Sequence, residues 1–558
     1  MTRDLAPAAP TRDGLLRSPW FWAAVLVGAA LRLAGLFRQV LVADEIHAYR
    51  FSLLLDFPEV LVAYPFTANS PPLNAWLRLL VDLGLAPGEL ALRVPVLLAG
   101  LALLVLPPLW VARYVGRFEG TSLAWLLAIS PHLVYYSRFL RPYIGFALLT
   151  AVAAAAFWDW WRTGRAASGI LYAVCGAAAT YLHLLAAPFV AAPALFLLAE
   201  RAVSGRRAWP PWRRLFGVGG LAVALVLLFV VPAWPNLHKL ASARRQPVAA
   251  DAADAYNALI VLSGSANRWV TLLFWLAVLV GIVRLARREG ALCRFLLVLV
   301  VAQSVAVPLL SPTFINNPMI LARYLLPLLV PLLIFIAVAL APSPAARHGV
   351  LVRLPAALFV LAAFATGPLT DPSLYRDSLG LRPELLAVHQ AGSRTTWTLP
   401  PPYEVLVGGP PGTVLEYPAR PMQRFFNTLS DYQRVHRRRV VISPGDRLLY
   451  DPRLGLRTIV APDPESFLAS GAAWLVVHRD WIAELGPDLG FQGPYTPEAH
   501  QRIAEVLDRL DRGAHNLCRR LVGLWGPPDR RGRGIWIWDL ERVRRDRGPS
   551  SEDLTPDA

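Results

Sequence analysis

The run Leu215–Ala233, LFGVGGLAVALVLLFVVPA, is the stretch of sequence that decides the fold. It contains no ionisable residue, and an apolar run of roughly 17 to 25 residues is long enough to cross a bilayer as a helix. The whole chain of 558 residues is 55% hydrophobic, with a mean hydropathy of +0.44. This composition is too apolar for a soluble protein of that size.

Ten further apolar runs occur, several of them shorter, so the sequence predicts a multi-pass α-helical membrane protein with about eleven transmembrane helices. The other predicted spans lie near Trp20–Phe37, Val94–Trp110, Ser122–Tyr136, Tyr143–Trp161, Gly169–Tyr181, Leu184–Ala199, Trp269–Val283, Phe295–Leu310, Tyr324–Ala341 and Val350–Gly367.

Arginine-rich loops alternate with these spans and predict the orientation in the membrane. Positively charged loops face the cytoplasm, which places the N-terminus inside and, with an odd number of spans, everything after Gly367 outside. The net charge of +17 does not indicate a nucleic-acid partner, because much of the excess lies in these turns, where it meets anionic lipid headgroups.

The composition along the chain predicts four segments. We expect a cytoplasmic tail over 1–19, a transmembrane domain over 20–368 with interfacial helices in the loop 38–93, an extracytoplasmic α/β domain over 369–545 and a disordered tail over 546–558. In the α/β domain, short apolar segments predict strands at Val405–Val407, Thr413–Glu416, Arg439–Ile442, Trp474–Val477 and Ile535–Trp538, and a helix at Ala499–Arg512.

Two adjacent acids, Asp44 and Glu45, follow the first predicted span and therefore fall near the membrane surface. Charges at that depth lose hydration, so carboxylates there need a compensating role. One interpretation is a general base or a cation site, which would make the protein an enzyme working at a membrane face. The other is a helix N-cap with a first-turn charge, which the helix macrodipole favours. Position along the chain leaves both open.

The turn between the third and fourth spans, on the same predicted face, carries Arg138, Arg141 and Tyr143. A guanidinium is planar and always charged, which suits a phosphate at headgroup depth. Snorkelling of arginine to lipid headgroups, together with an aromatic belt, would account for the same residues.

Two other outer span ends carry polar residues. His183 lies between two apolar runs, where a packed polar residue is the alternative to a catalytic one. Arg323 and Tyr324 open the tenth span, and positive-inside statistics disfavour arginine on this face. An acidic pair and several cations therefore share one face, a layout suited to a base and an anionic lipid-linked substrate.

Five segments follow one another from residue 20 to about 340: Asp44-Glu45, Ser70-Pro71-Pro72-Leu73, Tyr136-Ser137-Arg138-Phe139-Leu140-Arg141-Pro142-Tyr143, Tyr181-Leu182-His183 and Ala322-Arg323-Tyr324-Leu325-Leu326-Pro327. In this order the chain resembles the GT-C-fold glycosyltransferases of the protein O-mannosyltransferase and aminoarabinose transferase superfamily, in their bacterial form.

The resemblance implies an enzyme of the bacterial inner membrane that transfers a hexosyl or pentosyl group, with inversion, from a polyprenyl-phosphate donor to a lipid, glycan or protein acceptor outside the cytoplasm. It implies a general base at Asp44 with Glu45 assisting, donor-phosphate contacts from Arg138, Arg141 and Arg323, and site-lining roles for Tyr143, His183 and Tyr324. A divalent cation is the one candidate cofactor, and no cysteine spacing predicts a metal site.

Two other classes of protein compete with this interpretation. A transporter or flippase of lipid-linked glycans would predict charged or broken spans near the middle of the membrane. A non-catalytic membrane scaffold would use its exported domain to bind a cell-envelope partner.

Overall fold

The computed structural model describes most of the predicted spans and part of the C-terminal region. The described residues are 12–34, 36, 45, 48, 55–64, 70–83, 89–204, 210–237, 251–310, 315, 317–342, 353–370, 401–409, 412, 414–417, 440–442, 464–469, 471–479, 512–532 and 534–547. Internal contacts divide the chain into two units, the first comprising 1–39 and 47–393 and the second comprising 40–46 and 394–558.

The first unit is helical throughout its described residues. Its α-helices are α1 (Arg12–Leu16), α2 (Pro19–Leu33), α3 (Phe57–Val62), α4 (Pro71–Asp82), α5 (Glu89–Leu103), α6 (Leu106–Tyr114), α7 (Arg117–Ile129), α8 (Pro131–Tyr136), α9 (Tyr143–Thr163), α10 (Ala166–Leu182), α11 (Ala187–Ser204), α12 (Trp212–Val230), α13 (Ala252–Ser263), α14 (Arg268–Arg288), α15 (Gly290–Leu310), α16 (Pro318–Tyr324), α17 (Leu329–Ala339) and α18 (Leu354–Ala365). Short 3-10 helices lie at Leu184–Ala186, Val231–Ala233 and Leu326–Leu328.

The helices confirm the prediction of a multi-pass membrane protein. Among the described residues, six continuous helices are long and apolar enough to cross a membrane: Leu90–Tyr114, Tyr143–Thr163, Leu184–Val203, Trp212–Leu237, Arg268–Arg288 and Gly290–Leu310. A bent pair, Pro318–Tyr324 with Leu326–Ala339, would make a seventh. Each of the eleven predicted runs overlaps a helix or a pair of helices, and the shorter apolar helices include α2, α10 and α18.

The tenth predicted span is bent by 60° between α16 and α17. Pro327 lies in the 3-10 turn at this bend, where it has no N–H to donate to the preceding turn. The bend leaves Arg323 and Tyr324 at the end of a helix rather than inside a straight span. The break therefore allows Arg323 and Tyr324 to contact neighbouring helices.

Within the loop 38–93, for which the sequence predicts interfacial helices, the described residues include α3 and α4. In α3, Asp56 and Glu59 form a capping box, which satisfies N–H groups of the first turn. In α4, Leu73, Leu77 and Leu80 are buried and recur at helical spacing, so one face packs inward.

Helices α14 and α17 approach each other closely at Gly281. A Cβ atom at this position would overlap the carbonyl group of Phe335. Small residues allow the backbones of membrane helices to come together in this way.

Replacing Gly281 by alanine is expected to lower the free energy of unfolding by about 1–3 kcal/mol, because the added methyl group overpacks this crossing. Thermal unfolding of the full chain in detergent measures the effect. The matched control is Gly219→Ala in α12, where an added Cβ has no atom within 4 Å. The control should be neutral or stabilising, since alanine favours a helix; equal melting temperatures for the two variants would contradict the expected overlap.

Ion pairs join helix ends where the sequence predicts the cytoplasmic face. Arg288 Nη1 lies 2.6 Å from Glu119 Oε1, and Arg294 Nη2 lies 2.7 Å from Glu200 Oε2. Both glutamates are buried. A buried carboxylate needs such a partner, so these arginines support packing between helices as well as topology.

The second unit is built on a five-stranded mixed sheet. Its strands are β1 (Val414–Tyr417), β2 (Val440–Ile442), β3 (Trp474–His478), β4 (Arg530–Gly532) and β5 (Ile535–Asp539), in the order β2-β1-β3-β5-β4. The pairs β1/β2 and β1/β3 are parallel, and β3/β5 and β4/β5 are antiparallel. The helices of this unit are a 3-10 turn at Pro401–Tyr403, α19 (Glu404–Gly408), α20 (Pro464–Ala469), α21 (512–525) and α22 (Leu540–Arg547).

One predicted strand was wrong. Val405–Val407 lies within α19, although its residue types favour a strand. Pro401 and Pro402 begin a helical turn directly before it, and their fixed φ angles favour continuation as a helix. The other four predicted strands overlap β1, β2, β3 and β5, and residues 499–511 of the predicted helix Ala499–Arg512 lie outside the described residues.

The two faces of this sheet are packed differently. On one face Leu415, Leu475 and Leu517 belong to an apolar core that also contains Cys518. Burial raises the pKa of the Cys518 thiol to about 12, partly offset by nearby Arg479, so the thiol is protonated and unreactive in the folded unit.

The opposite face carries a buried polar cluster of Tyr403, Glu416 and His478. Glu416 Oε2 lies 2.7 Å from His478 Nε2, and the Tyr403 hydroxyl donates to both carboxylate oxygens at 3.0 and 2.9 Å. All three side chains have no exposed surface. The cluster joins the 3-10 turn to β1 and β3, which is a structural role.

Candidate functional site

Three helix ends of the first unit meet around Tyr143. Tyr143 begins α9, His183 follows α10 and Tyr324 ends α16. The ring centroids lie 5.4 Å apart for Tyr143 and His183, 5.9 Å for His183 and Tyr324, and 6.4 Å for Tyr143 and Tyr324. These are favourable distances for aromatic pairs. The structure thus brings together three residues that the sequence placed on one membrane face, and we call them the aromatic cluster.

Arg323 is held over this cluster by two cation–π contacts. Its guanidinium carbon lies 5.0 Å from the ring centroid of Tyr143 and 5.3 Å from that of Tyr324. Such contacts engage the flat face of the guanidinium, while its N–H donors point along the edge. Arg323 is only partly buried. Its guanidinium therefore lies against two rings of the aromatic cluster.

The turn 137–142 carries the other two predicted arginines. The ring of Tyr136, just before the turn, lies 5.1 Å from that of Tyr143, so the turn adjoins the aromatic cluster. Arg138 and Arg141 are more deeply placed than Arg323, with 1% and 5% of their surface exposed. Of the three predicted arginines, Arg323 is therefore the most accessible.

Gln303, which sequence analysis missed, links two of these helix ends. Its Nε2 donates to the carbonyl oxygens of Leu185 at 3.1 Å and Tyr324 at 3.2 Å. Both carbonyls lie at helix breaks, where intrahelical partners are lacking. An amide inside the apolar run Phe295–Leu310 is itself a signal, because polar groups at that depth are costly unless bonded.

The acidic pair is only partly visible in the structure. Asp44 lies outside the described residues. Glu45 is described, is fully buried and belongs to the second unit. The structure therefore gives no geometry for the predicted base, and the roles of both acids stay predictions.

No metal cluster is present in the part of the chain that the structure describes. Groups of three or more histidine, cysteine, aspartate or glutamate side chains that could hold an ion do not occur there. Asp44 lies outside these residues, and the cation site at the acidic pair stays a prediction.

The fold assigns the chain to a structural class. It is a multi-pass membrane protein with the GT-C fold, as the resemblance predicted. One similar structure is that of ArnT from Cupriavidus metallidurans in the apo state, at 16% identity and a TM-score of 0.51, covering 84% of this chain and 95% of that one.

Other comparisons add two weaker structural similarities. ArnT from Cupriavidus metallidurans bound to undecaprenyl phosphate aligns at 17% identity and a TM-score of 0.49, over 86% of this chain and 96% of that one. The archaeal oligosaccharyltransferase AglB from Archaeoglobus fulgidus, in complex with an inhibitory peptide and a dolichol-phosphate, aligns at 12% and 0.44, over 84% and 70%. No protein-family model and no curated protein matches the sequence.

Proposed function

We propose that the protein is a membrane glycosyltransferase that moves a sugar from a polyprenyl-phosphate donor to an extracytoplasmic acceptor with inversion. The observation that carries the proposal is Arg323, held between Tyr143 and Tyr324 beside the arginine-bearing turn 137–142. A concentration of oriented cations at one end of membrane helices suits an anionic group attached to a lipid. The GT-C fold provides the setting for this site.

The reaction needs two kinds of group. The acceptor hydroxyl attacks the anomeric carbon and forms the new glycosidic bond, while the bond from that carbon to the phosphate oxygen breaks. Negative charge develops on the leaving phosphate, and Arg323 stabilises it, with Arg138 and Arg141 of the adjoining turn adding positive charge. Asp44 takes the proton from the acceptor hydroxyl, and Glu45 assists.

The proposed site lies at the extracytoplasmic face of the bacterial inner membrane. Two arginines of the predicted cytoplasmic turns, Arg288 and Arg294, form ion pairs at helix ends other than those of the aromatic cluster. This distribution supports the positive-inside orientation, in which the N-terminus is cytoplasmic and the α/β domain is extracytoplasmic.

A transfer assay tests the proposal. The purified full chain in lipid vesicles is supplied with polyprenyl-phosphate donors that carry different labelled hexoses and pentoses, together with envelope extracts as acceptor. We expect one donor to be consumed, with release of free polyprenyl phosphate and appearance of label in the acceptor. The envelope of a deletion strain should lack the corresponding linkage.

Two results of this assay would overturn the proposal. Movement of intact labelled lipid between leaflets, with no cleavage of the sugar–phosphate bond, would favour the flippase. Absence of both cleavage and lipid movement, with the deletion strain keeping every envelope linkage, would favour the scaffold.

A further inference from the structure

Arg32, near the end of α2, is a fully buried arginine that neither the sequence analysis nor the proposed mechanism uses. A charged side chain at a membrane-helix end is costly to bury, so the contacts of Arg32 indicate the role that offsets this cost. Its Nε donates to the Ser137 hydroxyl at 3.0 Å and its Nη2 to the Leu127 carbonyl at 3.1 Å. Its Nη1 donates to the carbonyls of Gly28 at 2.9 Å and Ala128 at 3.4 Å.

These acceptors belong to three elements that the guanidinium ties together. Gly28 is one turn back on α2, and Leu127 and Ala128 are among the last carbonyls of α7, which have no intrahelical donor. Ser137 begins the turn 137–142, and its own hydroxyl donates to the Leu133 carbonyl of α8. Within the described residues the acceptors of Arg32 are three carbonyls and a hydroxyl, so none of its bonds neutralises its charge.

A second hydrogen bond joins the arginine-bearing turn to α2. Arg138, the residue after Ser137, donates through Nη1 to the Leu31 carbonyl of α2 at 3.4 Å. Gly100 of α5 lies against the same point, and a Cβ there would overlap the Ser137 hydroxyl. The space around the contact between Arg32 and Ser137 is therefore too small for a residue larger than glycine at position 100, or for the Ser137 side chain to shift toward that position.

We propose that Arg32 is a positioning residue, which fixes the turn 137–142 through Ser137 so that the buried cations Arg138 and Arg141 stay beside the aromatic cluster, where the phosphate of the lipid-linked donor binds. This inference rests on the proposed function, because it assigns Arg32 to the same donor site. Arg32 acts through its neighbours: it is fully buried, and it sets the position of the turn and contributes positive charge behind it.

A purely structural role makes a different prediction. Arg284 of α14 offers the comparison, since it also donates to carbonyls at a helix end, those of Ala339 at 2.6 Å and Ala341 at 2.8 Å. Those carbonyls lie at the C-terminal end of the tenth span, the opposite end from Arg323 and Tyr324. Loss of Arg284 should therefore cost stability alone, whereas loss of Arg32 should also weaken recognition of the phosphate.

The experiment compares binding of polyprenyl phosphate with binding of the neutral polyprenol by the full chain in nanodiscs. We expect Arg32→Met to weaken binding of the phosphate lipid by at least about tenfold, the scale for losing bonds to a charged group, and to leave polyprenol binding unchanged. Ser137→Ala should show the same selective loss to a smaller extent, and Arg284→Met should bind both lipids as the wild type does.

The outcomes separate this inference from the proposed function. A wild-type protein that binds both lipids equally overturns the donor site itself. With a phosphate-selective wild type, unchanged binding by Arg32→Met, or an equal loss for both lipids, overturns the positioning role. If Arg32→Met does not fold, Ser137→Ala decides: selective loss supports the role of the Arg32–Ser137 contact, and unchanged selectivity overturns it.

Discussion

Replacing Asp44 by asparagine is expected to lower the rate of sugar transfer by about 10²–10⁴-fold, the usual contribution of a general base. The amide cannot take the proton of the acceptor hydroxyl as the glycosidic bond forms. Since this interaction exists mainly in the transition state, kcat should fall while the KM for the donor stays close to its wild-type value. Initial rates with the purified full chain in vesicles measure both quantities.

The same substitution decides between the two interpretations of the acidic pair. Asparagine caps a helix about as well as aspartate, so a protein in which Asp44 is only an N-cap should transfer sugar normally after the change. The matched control is Asp82→Asn, the same acid-to-amide change in the loop 38–93, where Asp82 pairs with Arg78 at 2.7 Å. Exposed pairs of this kind contribute less than about 1 kcal/mol, so the control should retain full activity. Undiminished transfer by Asp44→Asn would reject the base.

The membrane fold could be predicted because it depends on local composition. An apolar run such as Leu215–Ala233 has one stable state in a bilayer, a helix that satisfies its own backbone groups. Every predicted run accordingly overlaps a helix of the structure. Bends could not be placed in the same way, since the two helices on either side of Leu325 together have the length and apolar composition of one span.

For the candidate site, the sequence could predict only which residues share one membrane face. Alternation of spans put Tyr143, His183 and Tyr324 on one face, and the structure brings their rings within 6.4 Å of one another. Gln303 and Arg32 escaped prediction because their partners are remote in sequence: the bond from Arg32 to Ser137 joins residues 105 positions apart. No periodicity within one helix encodes which carbonyls of another helix need a donor.

The α/β domain shows where local propensity fails. Val405–Val407 has strand-forming residue types, but tertiary context and the preceding prolines place it in α19. Strand β4, Arg530–Gly532, has no apolar alternation and is a strand because it pairs with β5 in an antiparallel ladder. A pattern search has nothing to detect in such a segment.

Replacing Arg323 by glutamine is expected to lower kcat/KM by about 10²–10³-fold, the scale for removing one group that stabilises developing negative charge. Its contacts with Tyr143 and Tyr324 orient the guanidinium before substrate arrives, so little reorganisation is needed as the phosphate leaves. The kcat/KM of Arg323→Lys should lie between those of the wild type and Arg323→Gln, because lysine keeps the charge but not the planar donor edge. Rates measured over a range of donor concentrations give kcat and KM for each variant.

The matched control for Arg323 is Arg268→Gln. Arg268, at the start of α14, has the same kind of contact, with its guanidinium carbon 5.2 Å from the ring centroid of Trp269. Arg268 is exposed, and among the described residues its cation–π contact is with Trp269 and not with a ring of the aromatic cluster. If Arg323 served only to reach lipid headgroups, as snorkelling arginines do, the two variants should behave alike and transfer sugar normally. A loss confined to Arg323→Gln, and partly restored in Arg323→Lys, follows only when the cation acts on the leaving phosphate, because a belt of aromatic and basic residues has no preference for one arginine over another.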